Sequence, residues 1–139
     1  MGLNKDRIES KIMYIKENIN KLQKFQKISQ DDFVADYRNY DAAKYNLQAS
    51  IEALIDISNH IISRENLGVP ESNAESFKIL AQNGIISEDK LTIFTAMARF
   101  RNKVVHLYDE IDNAEIYRII TEHLEDFDYF VKQIFNRYF

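Results

Sequence analysis

The sequence predicts an all-α fold, a bundle of four main helices plus a short one, on three observations. Only three glycines and one proline interrupt 139 residues, so few turns are signalled. Apolar residues recur at spacings of three, four or seven over long stretches, the period of an amphipathic helix and not of a strand. Serines and aspartates stand just ahead of several of these stretches, where a helix N-terminus needs side-chain acceptors. No repeat, low-complexity segment or linker divides the chain, so residues 1–139 read as a single domain.

The first helix is expected over residues 4–28, where Ile8, Ile12, Ile15, Ile19 and Leu22 form one apolar face. Ser29, with Asp32 three residues on, resembles a capping signal for a second helix. Residues 31–64 read as one very long helix carrying Phe33, Tyr37, Tyr40, Leu47, Ile51, Leu54 and Ile61. At ~1.5 Å per residue it would span about 45 to 50 Å, long enough that part of it must project or bend. Its second half carries a polar series, Glu52, Asp56, Asn59 and Ser63, at helical spacing, with His60 four residues after Asp56.

Arg64 to Asn73, with Gly68 and Pro70, is the clear loop. Ser72 and Glu75 make a capping-box pattern for the short helix, whose apolar face is Phe77, Ile79 and Leu80 and whose stop is Gly84. Ser87 is the expected N-cap of the next helix, with Glu88 and Asp89 at its positive dipole end. The stripe of that helix runs Leu91, Phe94, Ala98, Arg101, Val105, Tyr108, so an arginine interrupts an apolar face. Asp112 and Glu115 introduce a last helix with Ile116, Ile120, Leu124, Phe127, Val131, Ile134 and Tyr138. Six of the seventeen aromatics lie between Phe127 and Phe139, so this helix is either deeply buried or part of a protein contact.

Composition narrows the function. No cysteine is present, which excludes disulfides and thiolate metal sites and suits a reducing compartment. No apolar run approaches ~18 residues and no signal peptide opens the chain, so a soluble, cytoplasmic protein is expected. The net charge of −4 argues against a broad nucleic-acid footprint. The charge is uneven, however: residues 1–28 carry net +4 and residues 109–139 net −5. The basic end either meets phosphate or is a solvated helix face that complements the acidic end.

The chemistry-bearing stretch is Arg101-Asn102-Lys103-Val104-Val105-His106-Leu107-Tyr108. Cleavage of RNA by attack of a 2′-hydroxyl on its own phosphodiester needs a base for the hydroxyl and an acid for the leaving 5′-oxygen. Histidine is the side chain suited to both near neutrality. Arginine is always charged, binds phosphate bidentately and stabilises the charge of the transition state. No metal and no cofactor is required. Asn102 is expected to hold backbone or a phosphate oxygen, and Tyr108 to position phosphate or stack on a base. The structural alternative is that Arg101 and His106 merely cap the last carbonyls of their helix.

Geometry constrains the catalytic reading. At ~100° per residue, Arg101 and Val105 share a face, while His106 lies about 140° from Arg101. Either the helix unwinds near Val104 to His106, or two chains each contribute part of one site, doubling the set to two arginines and two histidines.

The stretch Arg99-Phe100-Arg101-Asn102-Lys103-Val104-Val105-His106-Leu107-Tyr108-Asp109-Glu110-Ile111-Asp112 resembles the signature of HepT-like toxins, a branch of the HEPN superfamily. The acidic-apolar pattern from Ile51 to Ile62 agrees with it, as do length and helix order. The resemblance implies a HEPN-type helical bundle forming a homodimer with a composite cleft. It implies a metal-independent RNase toxin of a type VII toxin–antitoxin pair, with Arg101 and His106 catalytic and Asn102 and Tyr108 supporting. It further implies a small nucleotidyltransferase antitoxin of the MntA kind that transfers AMP from ATP to Tyr108. A bulky anion there would occupy the phosphate cleft and repel RNA.

The alternatives are a non-catalytic HEPN helper, which presents substrate to a separate nucleotidyltransferase, and a helical assembly protein, suggested by the aromatic last helix. Asp56 and His60 are either an orienting carboxylate–histidine pair or a polar seam at the dimer interface, and the seam is expected. The three histidines at 60, 106 and 123 do not suggest a metal site, and His123 is expected at the surface. Absence of a Gly-rich phosphate loop argues that the chain is not itself the nucleotidyltransferase.

Overall fold

Asn4 starts the first helix, its side-chain oxygen accepting the Arg7 N–H at 3.1 Å. In the computed structural model, residues 2–107 and 111–139 are described. Among them the helices are α1 (Lys5–Phe25), α2 (Gln30–Ala35), α3 (Tyr37–Arg64), α4 (Asn73–Gln82), α5 (Leu91–His106), α6 (Asn113–Glu122) and α7 (Leu124–Tyr138). A 3₁₀ turn over Glu88–Lys90 leads into α5. The predicted stripe of α1, Ile8 to Leu22, is fully buried and lies along α3, its most extensive neighbour. Among the described residues no helix is long and apolar enough to cross a membrane.

The long helix expected over 31–64 is two helices. Asp36 breaks it, taking extended backbone at φ −127° and ψ 115°. Its carboxylate then accepts the backbone N–H of Arg38 at 2.9 Å and pairs with the Arg38 guanidinium at 2.8 Å, which caps α3. The turn has a packing cause. It lets short α2 bury Phe33 against Phe25 of α1 and Tyr117 of α6, at ring separations of 5.8 and 5.2 Å. Tyr37, counted in the apolar stripe, is instead 64% exposed because it opens the second helix on the solvent side of the break.

The last helix divides in the same way. His123 takes φ −128° and ψ 7°, ending α6 and preceding α7. Asp126, one turn into α7, is buried, and its carboxylate receives Lys90 Nζ at 2.9 Å and faces His123 Nδ1 at 3.1 Å. His123, expected at the surface, is therefore partly buried and held by Asp126. The bend ties the α6–α7 junction to the turn ahead of α5, and Tyr129 reinforces it by accepting the Ser87 N–H at 2.9 Å. Ser87 itself makes no capping bond to the backbone of the turn.

The middle of the bundle fixes α5. Phe77 of α4, Phe94 of α5 and Phe130 of α7 form a fully buried triangle with centroids 5.4, 5.7 and 6.2 Å apart. Burying each such ring is worth roughly 1.5–3 kcal/mol, so the register of α5 is strongly set. Gly84, at φ +71°, allows the reversal between α4 and the turn, with Ile85 N–H closing onto the Leu80 carbonyl at 2.9 Å.

Candidate functional site

The register of α5 decides what its last turns present. Met97, Ala98, Phe100 and Val104 are buried, whereas Val105, expected in the apolar stripe, is 41% exposed. The stripe turns inward through Val104, and Arg101 takes up its edge. Arg101 lies against α3. Its Nε donates to Glu52 Oε1 at 3.1 Å and its Nη1 to the side-chain oxygen of Asn102 at 3.2 Å. Gln48 Nε2 also donates to Glu52 Oε1, at 3.2 Å, so the carboxylate is itself held. Among the described residues no protein bond engages Arg101 Nη2, which leaves a directed cationic donor. Asn102 thus supports the guanidinium and not a backbone carbonyl.

Arg101 closes one side of a cavity of about 270 Å³ whose other walls include Glu52, Asp56, Asn59 and Asn73. Asn59 accepts the Ser76 hydroxyl at 2.6 Å, fixing α4 to this wall. Asp56 pairs with Lys11 of α1 at 3.0 Å. The cavity is polar, and each of its carboxylates already meets a cation. Glu52, Asp56 and Asn59 of the polar series on α3 lie in this wall, and Ser63 does not. The pairing of Glu52 with Arg101 was not foreseen, and its only signal was that both interrupt helix faces that otherwise turn inward.

His106 is the last residue of α5 and is exposed. The Leu107 N–H bonds the Lys103 carbonyl at 2.7 Å, so the helix continues intact to its end. The local unwinding offered as one way to bring Arg101 and His106 together does not occur, and within one chain they remain about 140° apart. Among the described residues nothing holds the His106 ring. Arg99 is exposed, and Lys103 lies 3.7 Å from Glu115. Tyr108, the expected modification site, lies outside the described residues.

Asp56 and His60 do not form an orienting pair. His60 is buried and its Nε2 accepts the backbone N–H of Asn4 at 3.0 Å. Arg64, one turn on, donates to the Gly2 carbonyl at 3.3 Å, so this end of α3 serves to hold the N-terminal segment. Burial, then the positive charges of Arg64 and Arg7, push the His60 pKa below its ordinary value. Asp56 faces the Arg101 cavity and His60 does not.

Comparison with known proteins agrees with this architecture. Residues 15–134 match the family described as "Ribonuclease HepT-like". The mRNA nuclease HepT of Shewanella oneidensis is 36% identical over 129 residues, covering 93% of this chain and 96% of its own. The tRNA nuclease HepT of Aphanizomenon flos-aquae is 30% identical over 127 residues, covering 91% and 86%. Among solved structures, a toxin–antitoxin with AMP-PNP superposes with a TM-score of 0.87 at 36% identity, covering 94% of this chain and 98% of its own. The tri-AMPylated Shewanella oneidensis HEPN toxin in complex with MNT antitoxin superposes with a TM-score of 0.86 at 36% identity and the same coverage.

Proposed function

The chain belongs to the HepT-like ribonuclease family, a HEPN ribonuclease toxin of a toxin–antitoxin system, and we propose that it cleaves RNA without a metal at a composite site made by two copies, using Arg101 and His106 from each. The observation that carries this reading is the undistorted helix through His106. It leaves the guanidinium and the imidazole on different faces of one protomer, so a two-fold pairing of α5 ends is the arrangement that puts both beside one phosphate.

At such a site Arg101 Nη2 reaches a non-bridging phosphate oxygen while Glu52 and Asn102 hold the rest of the guanidinium. One His106 imidazole takes the proton of the 2′-hydroxyl as its oxygen bonds to phosphorus. The other gives a proton to the 5′-oxygen as its bond to phosphorus breaks. The products are a 2′,3′-cyclic phosphate and a 5′-hydroxyl, with protons balanced across the pair. The arginine stabilises the additional charge of the five-coordinate transition state.

The partner we propose is a nucleotidyltransferase antitoxin of the MntA kind, as in the relatives' complexes, acting on this chain in the cytoplasm. Transfer of AMP from ATP to the phenol oxygen of Tyr108 forms an O–P bond, breaks the α–β phosphoanhydride and releases pyrophosphate. The added anion, two residues from His106, competes with RNA for the arginine. The test is RNA cleavage by the purified chain. Wild type cleaves, His106→Ala does not, and light scattering gives a dimer for both. Incubation with the cognate nucleotidyltransferase and ATP adds AMP to Tyr108 and lowers cleavage. An inert wild-type dimer would favour the helper reading, and AMP found on another residue would remove the switch from Tyr108.

A further inference from the structure

A second cavity, of about 390 Å³, lies between α1 and α3 and shares Glu52 and Asp56 as a wall with the Arg101 cavity. Its far walls carry Tyr14 from α1 and Tyr45 from α3, exposed at 40% and 63%. Lys11 and Gln48 complete the polar lining. We propose that this groove is a nucleobase subsite, which seats the base adjoining the scissile phosphate of a single-stranded RNA. The proposal rests on the assignment of Arg101 to that phosphate.

Three features select a base over other occupants. First, the charges lining the groove are already paired: Lys11 meets Asp56 at 3.0 Å, and Glu52 holds Arg101 of the neighbouring cavity at 3.1 Å. With its lysine committed to a carboxylate, the groove attracts a phosphate less than Arg101 Nη2 in the neighbouring cavity does, but it accommodates a neutral, planar group with donors and acceptors at its rim. Secondly, two tyrosines on opposing helices are exposed, Tyr45 largely and Tyr14 in part. Neither is engaged with another ring among the described residues, unlike Phe135 and Phe139, which stack on each other at 5.3 Å. Exposed aromatic faces beside a phosphate site are how single-stranded RNA is held without metal or base pairing. Thirdly, the groove adjoins the Arg101 cavity at Glu52 and Asp56, which line both, and Glu52 Oε1 also takes the Gln48 amide. A base in the groove and a phosphate at Arg101 are therefore joined by one shared wall, the relation that neighbouring parts of one nucleotide require. Gln48 presents an amide at the groove, able to donate to or accept from a base edge, and so is the residue placed to bias which base is chosen.

The test uses the full chain and a mixed-sequence single-stranded RNA oligonucleotide. Tyr45→Ala should raise KM about tenfold, in the range expected for loss of one base stack, and redistribute the bases found beside the cut. Tyr45→Phe, which keeps the ring, should restore both. Gln48→Ala should shift the base preference more than KM. An unchanged KM and cut distribution in Tyr45→Ala would overturn the subsite. Dissociation of the dimer in that variant, seen by light scattering, would also overturn it, because the groove would then be covered by the second copy. Binding of the uncleaved oligonucleotide to His106→Ala, with and without Tyr45→Ala, separates this proposal from the catalytic one. If His106→Ala still cleaves, the assignment of His106 fails, while the tenfold loss of binding on removing Tyr45 still stands or falls by itself.

Discussion

His60 and His106 stand on the two helices that frame the Arg101 cavity, yet their surroundings are opposite. His60 is buried on α3 and its ring accepts the Asn4 amide. His106 ends α5 with its ring exposed and, among the described residues, unheld. The buried ring has its lone pair committed to a backbone donor and loses freedom to move a proton. The exposed ring keeps both nitrogens available but, among the described residues, has nothing to aim it. The comparison teaches that His106 needs a second element to become an acid or base, whereas His60 is already complete as structure. Each histidine can be removed to ask whether it behaves as assigned.

The largest expected effect is on cleavage. His106→Ala should reduce RNA cleavage by about 10²–10⁴-fold, the usual worth of a positioned acid or base, without lowering the thermal midpoint. Arg101→Ala should cost about 10²–10³-fold for loss of transition-state charge stabilisation. A chain that cleaves normally after His106→Ala would break the comparison outright. A large fall in midpoint would show that His106, like His60, is holding structure.

A smaller effect sharpens the role of α3. Glu52 positions Arg101 through a bond of 3.1 Å, and its side chain is 38% exposed. Glu52→Gln keeps an acceptor for the guanidinium but removes the charge assistance that strengthens the bond. Cleavage should fall about tenfold, mainly in kcat, because the guanidinium is still present but less well aimed. Stability should change little, since a half-exposed ion pair contributes at most ~1 kcal/mol. A loss confined to KM would assign Glu52 to substrate binding instead.

The sequence made the bundle legible through local spacing, and the candidate stretch from Arg101 to Tyr108 through its resemblance to a known family. The stripe Ile8 to Leu22 and the core positions Leu47, Ile51, Leu54 and Ile61 are buried as their spacing predicts. The breaks at Asp36 and His123 were hidden for a physical reason. Each is a single residue in an uninterrupted helical pattern, and its conformation is decided by distant packing: Phe33 against Phe25 and Tyr117 in one case, Asp126 against Lys90 in the other. That Asp56 and His60 do not pair with each other has the same origin. Four-residue spacing makes them neighbours along α3, but α1 claims one through Lys11 and the N-terminal segment claims the other through Asn4. The pairing of Glu52 with Arg101 spans 49 residues, a separation over which spacing rules carry no information.

His60 is the test from the structural side. His60→Ala leaves the Asn4 N–H without its acceptor in a partly buried place, at the entry to α1. An unsatisfied donor costs about 1–3 kcal/mol, so the urea midpoint should fall while cleavage per folded molecule stays at the wild-type level. Lost cleavage with unchanged stability would move His60 into the functional site and erase the contrast with His106.

The least effect expected is a dependence of stability on pH that belongs to His60. Its pKa is lowered in the folded chain, first by burial and then by the nearby charges of Arg64 and Arg7. Unfolded, it titrates near its ordinary value of about 6.5. Below that pH the unfolded chain takes up the proton first, so the stability present above about 6.5 is lost as pH falls through the folded-state pKa. Protonation also removes the lone pair that accepts the Asn4 amide, so the contact and the charge fail together. His60→Gln offers a neutral acceptor that does not titrate. Urea midpoints measured between neutral and mildly acidic pH should therefore fall less steeply in this variant than in the wild type. Equal slopes would mean that the folded chain accommodates the charged imidazole, through solvent access or movement of Arg64, and that His60 is less firmly locked than its burial implies.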